Sequence, residues 1–143
     1  MERIFSKSKR WKNWMTIEDE KRCRVVAMRA LSAGTATYMG VQGADWVLKH
    51  YNKLPEYYIT TKKAKELGWK QKKGNLAEVA PGCMITREYY NKEGILPDKP
   101  GRIWQEADIN YVSGKRNGER IFYSNDGLIF VSFDHGKTFI EIR

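Results

Sequence analysis

The chain has 143 residues, 41% of them hydrophobic and 30% charged, enough for one packed domain with an extension and too little for two domains of ordinary size. Its formal charge of +9 at pH 7 argues against polycationic partners and favours an acidic one, most commonly nucleic acid, with membrane surfaces and acidic proteins sharing the attraction. Both parts of the chain are basic: nine Lys/Arg stand against four Asp/Glu in residues 1–42, and 17 against 13 in residues 43–143.

Residues 1–42 read as an N-terminal extension that opens on a basic aromatic stretch, with Lys7, Lys9, Arg10, Trp11, Lys12 and Trp14. Thr16 can cap a helix, with Asp19 three residues on, and Cys23, Val26, Ala27, Ala30 and Leu31 recur at helical spacing until Gly34 stops it. Such a stripe packs on a neighbour, while the basic arm is a solvated tail or attracts RNA without specificity. Residues 35–43 read as a linker. The most apolar long stretch, 25–43, is interrupted by Arg29 and several polar residues, so it does not read as a membrane span, and no secretory signal is evident. Cys23 and Cys83 fall in different parts of the chain and define no disulfide framework, which makes reduced thiols the simpler expectation.

In residues 43–143, Ala44, Val47, Leu48 and Tyr51 share a helical face, Asp45 can pair with Lys49, and Pro55 bars continuation. Thr60 is the cap expected for a second helix ending at Gly68, with Ala64 and Leu67 inward and Lys62 and Lys63 in its first turn. Asn75 with Glu78 predicts a short third helix that Pro81-Gly82 ends. The pattern then changes to strands at 103–111, 120–124, 128–133 and 138–142, rich in β-branched and aromatic residues, with Asp126-Gly127 and Gly136-Lys137 as hairpin turns. Helices followed by strands predict an α+β domain in which an antiparallel sheet is covered on one face by helices, with the helical extension added at the N-terminus.

Four residues of the strand region can do chemistry together. Glu106 and His135 supply a base and an acid, and Arg116 and Arg120 supply forked donors for a phosphate and its developing charge. RNA brings its own nucleophile, the 2′-hydroxyl, so such a set needs no covalent intermediate, metal or other cofactor. Out of context, Glu106, Arg116 and Arg120 read as an ion-pair cluster on a sheet, His135 as a turn histidine and His50 as a helix-end residue. Their setting changes that judgement: Gly101-Arg102-Ile103-Trp104-Gln105-Glu106-Ala107-Asp108-Ile109-Asn110-Tyr111, then Ser113-Gly114-Lys115-Arg116-Asn117 and Asp134-His135, preceded by Lys53-Leu54-Pro55, Leu67-Gly68-Trp69 and the run from Lys73 to Gly82. In this order, over residues 43–143, the blocks resemble the barnase family of small bacterial guanyl-preferring ribonucleases.

The resemblance implies the microbial ribonuclease fold and metal-independent endonucleolytic cleavage of single-stranded RNA 3′ to guanosine. It makes Glu106 the base and His135 the acid in transfer to a 2′,3′-cyclic phosphate, with roles exchanged when water opens the ring. Arg116 and Arg120 grip the phosphate, and Arg120 also keeps Glu106 ionised. A loop of Tyr89, Tyr90, Asn91, Lys92 and Glu93 reads guanine, through backbone donors to O6 and a Glu93 carboxylate that accepts from the N1 and N2 hydrogens. The implied partners are RNA and, for a toxin, a small acidic inhibitor resembling barstar; the expected state is a monomer with no membrane partner. Family members are exported, so a chain without an evident signal fits a fragment or a secreted or phage-delivered toxin module.

Two positions depart from the family pattern. Thr61 stands where relatives carry a catalytic lysine, with Lys62 shifted by one residue, about 100° around a helix. Gly136 stands where they carry a tyrosine after the catalytic histidine. Weaker phosphate and downstream-nucleotide binding follow, which keeps open a catalytically weakened RNA-binding module or a phage structural fragment. The spacing of Trp14, Thr16, Asp19, Glu20 and Cys23 also resembles the terminal motif of phage head-morphogenesis (minor head) proteins, with Val26 where a second cysteine usually stands. That implies a toxin domain behind a phage protein; an ordinary amphipathic helix is the alternative.

Overall fold

In the computed structural model, which describes residues 24, 25 and 30–143, six strands pair in the order in which the chain makes them. Helix α1 (Ala44–Tyr51), strand β1 (Tyr58–Thr60) and helices α2 (Thr61–Glu66) and α3 (Leu76–Val79) come first. Strands β2 (Met84–Tyr89), β3 (Trp104–Asp108), β4 (Arg120–Ser124), β5 (Ile129–Ser132) and β6 (Ile140–Glu141) follow. The expected α+β architecture is thus present. Strands β2 to β6 form an antiparallel meander, and β1 joins its edge in parallel, with Thr60 opposite Thr86. The sheet is therefore mixed. Neither β1 nor β2 is among the expected strands: β1 is three residues long and runs straight into a helix, and β2 carries three polar residues in succession, Thr86, Arg87 and Glu88.

Strand alternation divides the core. Ala107, Ile121 and Val131 face Ala44 and Leu48 of α1, and removing such aliphatic side chains from water stabilises by about 1.5–3 kcal/mol for the larger ones. On the other face Trp104, Phe122 and Phe130 pack with Phe139, Ile95 and Leu96. A third cluster, Ala64, Trp69, Leu76, Ala80 and Ile85, seats α2 and α3 at the β1–β2 end.

Local details differ from expectation in instructive ways. Val47 is half-buried and Tyr51 exposed, whereas Asp45 is fully buried. Its carboxylate accepts from the backbone N–H groups of Gly34 (2.7 Å) and Ala36 (2.9 Å) and from the Thr37 hydroxyl (2.8 Å), so it organises the preceding loop rather than pairing with Lys49. That loop, expected as a linker, packs on the domain: Ala36 is in the core, and Asn110 accepts from Tyr38 N at 2.8 Å and donates to Ala36 O at 3.1 Å. Thr60 caps α2 by accepting from Lys63 N at 3.1 Å, and Ala64 is buried, but Leu67 is exposed. Asn75 does not cap α3, because its amide bridges Lys70 N (2.8 Å) and Gly68 O (3.1 Å). His50, in the last turn of α1, stacks on Trp46.

The helix expected from Thr16 and the phage-like spacing lie outside the described residues, as does Cys23; Cys83 carries a free thiol. Leu31 is extended rather than helical. Its N–H donates to Glu141 O and its carbonyl accepts from Arg143 N, both at 2.9 Å, while Val25 bridges Phe139. The described part of the extension therefore lengthens the sheet at its β6 edge, in the parallel sense. Among the described residues no helix is long and apolar enough to cross a membrane.

Candidate active site

Strand register builds the site. Arg87 of β2 stands opposite Glu106 of β3, which stands opposite Phe122 of β4; Asp108 stands opposite Arg120, which stands opposite Ser132 of β5. Directly opposed residues project from the same face of a sheet. Arg87, Glu106, Asp108 and Arg120 thus share the aromatic face, away from α1.

Asp108 is the anchor of this face. Its side chain is 1% exposed and takes a bidentate fork from Arg116, Nε to Oδ2 at 2.7 Å and Nη2 to Oδ1 at 2.5 Å, while Arg120 Nε lies 3.1 Å from Oδ1. Arg120 also donates to the backbone carbonyls of Asn117 (2.5 Å) and Glu119 (2.8 Å). The hydrogen bonds to Asp108 push the Arg116 guanidinium further up, whereas burial pulls that of Arg120 down from its usual value. The two arginines are brought together as expected, but on Asp108, which the motif reading did not single out. The available signal was strand parity, since Asp108 alternates with Glu106 and Trp104.

Glu106 is buried, and its direct partner is Arg87, whose Nε donates to Oε1. Arg116 and Arg120 reach Glu106 only through space. Arg120 bonds directly to Asp108, Asn117 and Glu119, so the charge that the resemblance assigns it beside Glu106 acts across space.

His135 occupies the β5–β6 turn with a left-handed φ of 62°, and its N–H donates to Gly118 O at 3.0 Å. Burial works to raise the neighbouring Asp134 carboxyl, but bonds from Thr138 Oγ1 (2.6 Å), Thr138 N (2.9 Å) and Ser132 Oγ (2.9 Å) outweigh it and hold it below its usual range. Gly118 lies against the imidazole: a Cβ there would stand 2.8 Å from His135 Nε2. Gly118 is thus a second residue that motif reading misses.

The expected base-reading loop follows β2. Tyr89 packs edge-on against Phe122 at 4.8 Å, Tyr90 is exposed, and Lys92 and Glu93 are exposed at the tip. Asn91, at φ 51°, is buried and commits its amide to Leu96, donating to its carbonyl at 2.9 Å and accepting from its N–H at 3.2 Å. Its side chain therefore fixes the loop's shape. Residues 89–93 line one depression together with Arg87 and Glu106, so the loop opens onto the carboxylate. Glu93 is paired with Arg24, whose Nη1 lies 2.7 Å from Oε2 and whose Nε and Nη2 donate to Lys137 O and Gly136 O, also at 2.7 Å. Lys62 is exposed in the first turn of α2 and bonds none of these groups among the described residues.

A basic α+β domain with this charge layout on one sheet face has the character of a small microbial nuclease. A ribonuclease family model matches residues 42–143. Over 108 residues, 75% of this chain, the sequence is 53% identical to a ribonuclease of Heyndrickxia coagulans, covering 96% of that protein. It is also 53% identical to ribonucleases of Bacillus intermedius and Bacillus pumilus, covering 65% of each. The chain belongs to this bacterial ribonuclease family, and RNA is the substrate class that membership implies.

Proposed function

We propose that this ribonuclease is a metal-independent endonuclease that cuts single-stranded RNA 3′ to guanosine through a 2′,3′-cyclic phosphate. The observation that carries the reading is Glu106 on the same sheet face as two guanidiniums clamped by Asp108, with the His135 turn bonded to Gly118 just before β4. Glu106 takes the proton of the 2′-hydroxyl as its oxygen attacks phosphorus. The bond to the 5′-oxygen breaks, and His135 protonates the leaving oxygen. Arg116 and Arg120 hold the non-bridging oxygens as their charge grows. In the second step His135 removes a proton from water and Glu106 returns one to the 2′-oxygen, a pairing a histidine can serve near neutral pH.

Guanine preference rests on the loop at Asn91 and Glu93. A shape fixed by Asn91 presents backbone donors for O6, and the Glu93 carboxylate accepts from N1 and N2, a pattern adenine cannot satisfy. Uncontrolled cutting of RNA harms a producing cell, so a toxin role goes with a small acidic inhibitor of the barstar kind, which a chain of charge +9 attracts.

The test is cleavage, in EDTA, of a single-stranded RNA with one guanosine by the parent protein and His135→Ala, with product ends identified. Cutting 3′ to guanosine that leaves a cyclic phosphate and is lost in the variant is the expected result. Binding without cutting would instead favour an inactive RNA-binding module and direct attention to Thr61 and Gly136.

A further inference from the structure

We propose that Arg87 is the positioning residue of Glu106: it orients the carboxylate for proton abstraction and supplies the positive charge beside it. The inference rests on Glu106 being the base.

The argument begins with which cations are available. Arg116 and Arg120 are nearest in kind, but the bonds they make go to Asp108, Asn117 and Glu119 rather than to Glu106. Thr61 offers no charge, and Lys62 is exposed on α2 without a bond to the site among the described residues. Arg87 stands directly opposite Glu106 in the β2–β3 register, donates from Nε to Oε1, and lines the depression shared with the loop at 89–93. Its side chain is 58% exposed, against 10% for that of Glu106. An ion pair so open to solvent adds little to stability, yet its charge-assisted bond fixes one carboxylate oxygen of a buried group. Among the described residues, the other charged or titratable groups near Glu106 include Asp108 two residues along its strand, Tyr89, Arg116 and Arg120 acting through space, and Glu88, Tyr90, Lys92 and Glu93 lining the same depression.

Position also explains how this chain manages with a threonine after the α2 cap. The parallel register sets Thr60 opposite Thr86, so Thr61, the first residue of α2, and Arg87, the next residue of β2, follow that pair at the same end. The hydroxyl of Thr61 is buried there without a hydrogen-bond partner. A cation is thus presented at the same end of the sheet from the neighbouring strand.

The experiment measures kcat and KM across pH on a guanosine dinucleoside phosphate for the parent, Arg87→Gln, Arg87→Lys, Arg87→Gln with Thr61→Lys, and Glu106→Gln, with Tm recorded for each. Arg87→Gln is expected to lose about tenfold or more in kcat with KM changed less than about threefold, the signature of an interaction that acts on the chemical step. Arg87→Lys regains most of the rate, and the added lysine at 61 regains part. An Arg87→Gln protein with parental kcat, a loss confined to KM, or failure of both lysines to regain any rate overturns the proposal. If instead Glu106→Gln cuts at the parental rate, the mechanism itself fails, which separates the two outcomes.

Discussion

Nη1 of Arg24 lies 2.7 Å from Oε2 of Glu93, although 69 residues separate them in the chain. If Glu93 reads guanine, this ion pair must open before the base can bind. Both side chains are partly exposed, and such pairs are worth up to about 1 kcal/mol. Arg24→Ala is therefore expected to lower KM for guanosine sites by up to about fivefold, with no gain at adenosine sites. Steady-state kinetics on matched dinucleoside phosphates checks this, and the difference from the parent shrinks in high salt as the pair is screened.

Asp108 carries two guanidiniums from a side chain that is 1% exposed. Asp108→Asn keeps the shape but removes the charge and leaves Arg116 and Arg120 partly buried without their counter-ion. Breaking such a pair from one side costs about 3–5 kcal/mol. Denaturant unfolding should show that loss, and activity should fall further than stability accounts for at temperatures where the variant is still folded.

Gly118→Ala tests the contact beneath the imidazole. The backbone at 118 is outside the left-handed region, so a methyl group brings no backbone strain, yet it would stand 2.8 Å from His135 Nε2. The ring is the part that moves. If His135 is the acid, kcat is expected to fall by about 10²-fold with little change in Tm, since a displacement of about 1 Å in an acid–base group has effects of that size.

Asp134 links the turn at His135 to pH. Its carboxyl is held below the usual range in the fold, so it contributes stability that is present above the unfolded value of ~3.9 and is lost as pH falls through the lower folded value. Asp134→Asn should therefore be less stable than the parent near neutrality by roughly 1 kcal/mol, from weaker bonds to Thr138 and Ser132. Thermal melts at a series of pH values should show the gap closing at acid pH, where both proteins are neutral at this position.

Elements whose pattern is local are legible in the sequence. Helix α1 and the Thr60 cap of α2 follow from spacing and a side chain three residues from its target. Strands β3, β4 and β5 follow from runs rich in β-branched and aromatic residues between turn signals. Strand β2 does not, because Thr86, Arg87 and Glu88 hide it among polar residues, and with it goes the register that sets Arg87 against Glu106. Glu106, Arg116, Arg120 and His135 stand out because they sit in a recognisable motif. Asp108, inside the same motif, does not, since its role depends on a loop that folds Arg116 back over β3. Leu31 is misjudged for a related reason: an apolar residue at helical spacing is indistinguishable from one awaiting the edge of a sheet formed by the far end of the chain.

Glu106 and Asp108 are alternate residues of one strand, yet they hold different cations. A base tied to the arginines that grip the substrate would slacken that grip each time it accepted a proton. Here the arginines bond to another carboxylate, and under the proposed mechanism a proton arriving at Glu106 meets a direct bond only from the solvent-facing Arg87 among the described residues. On that mechanism scaffold and proton relay are separate circuits, and the phosphate cradle need not be rebuilt between one scission and the next.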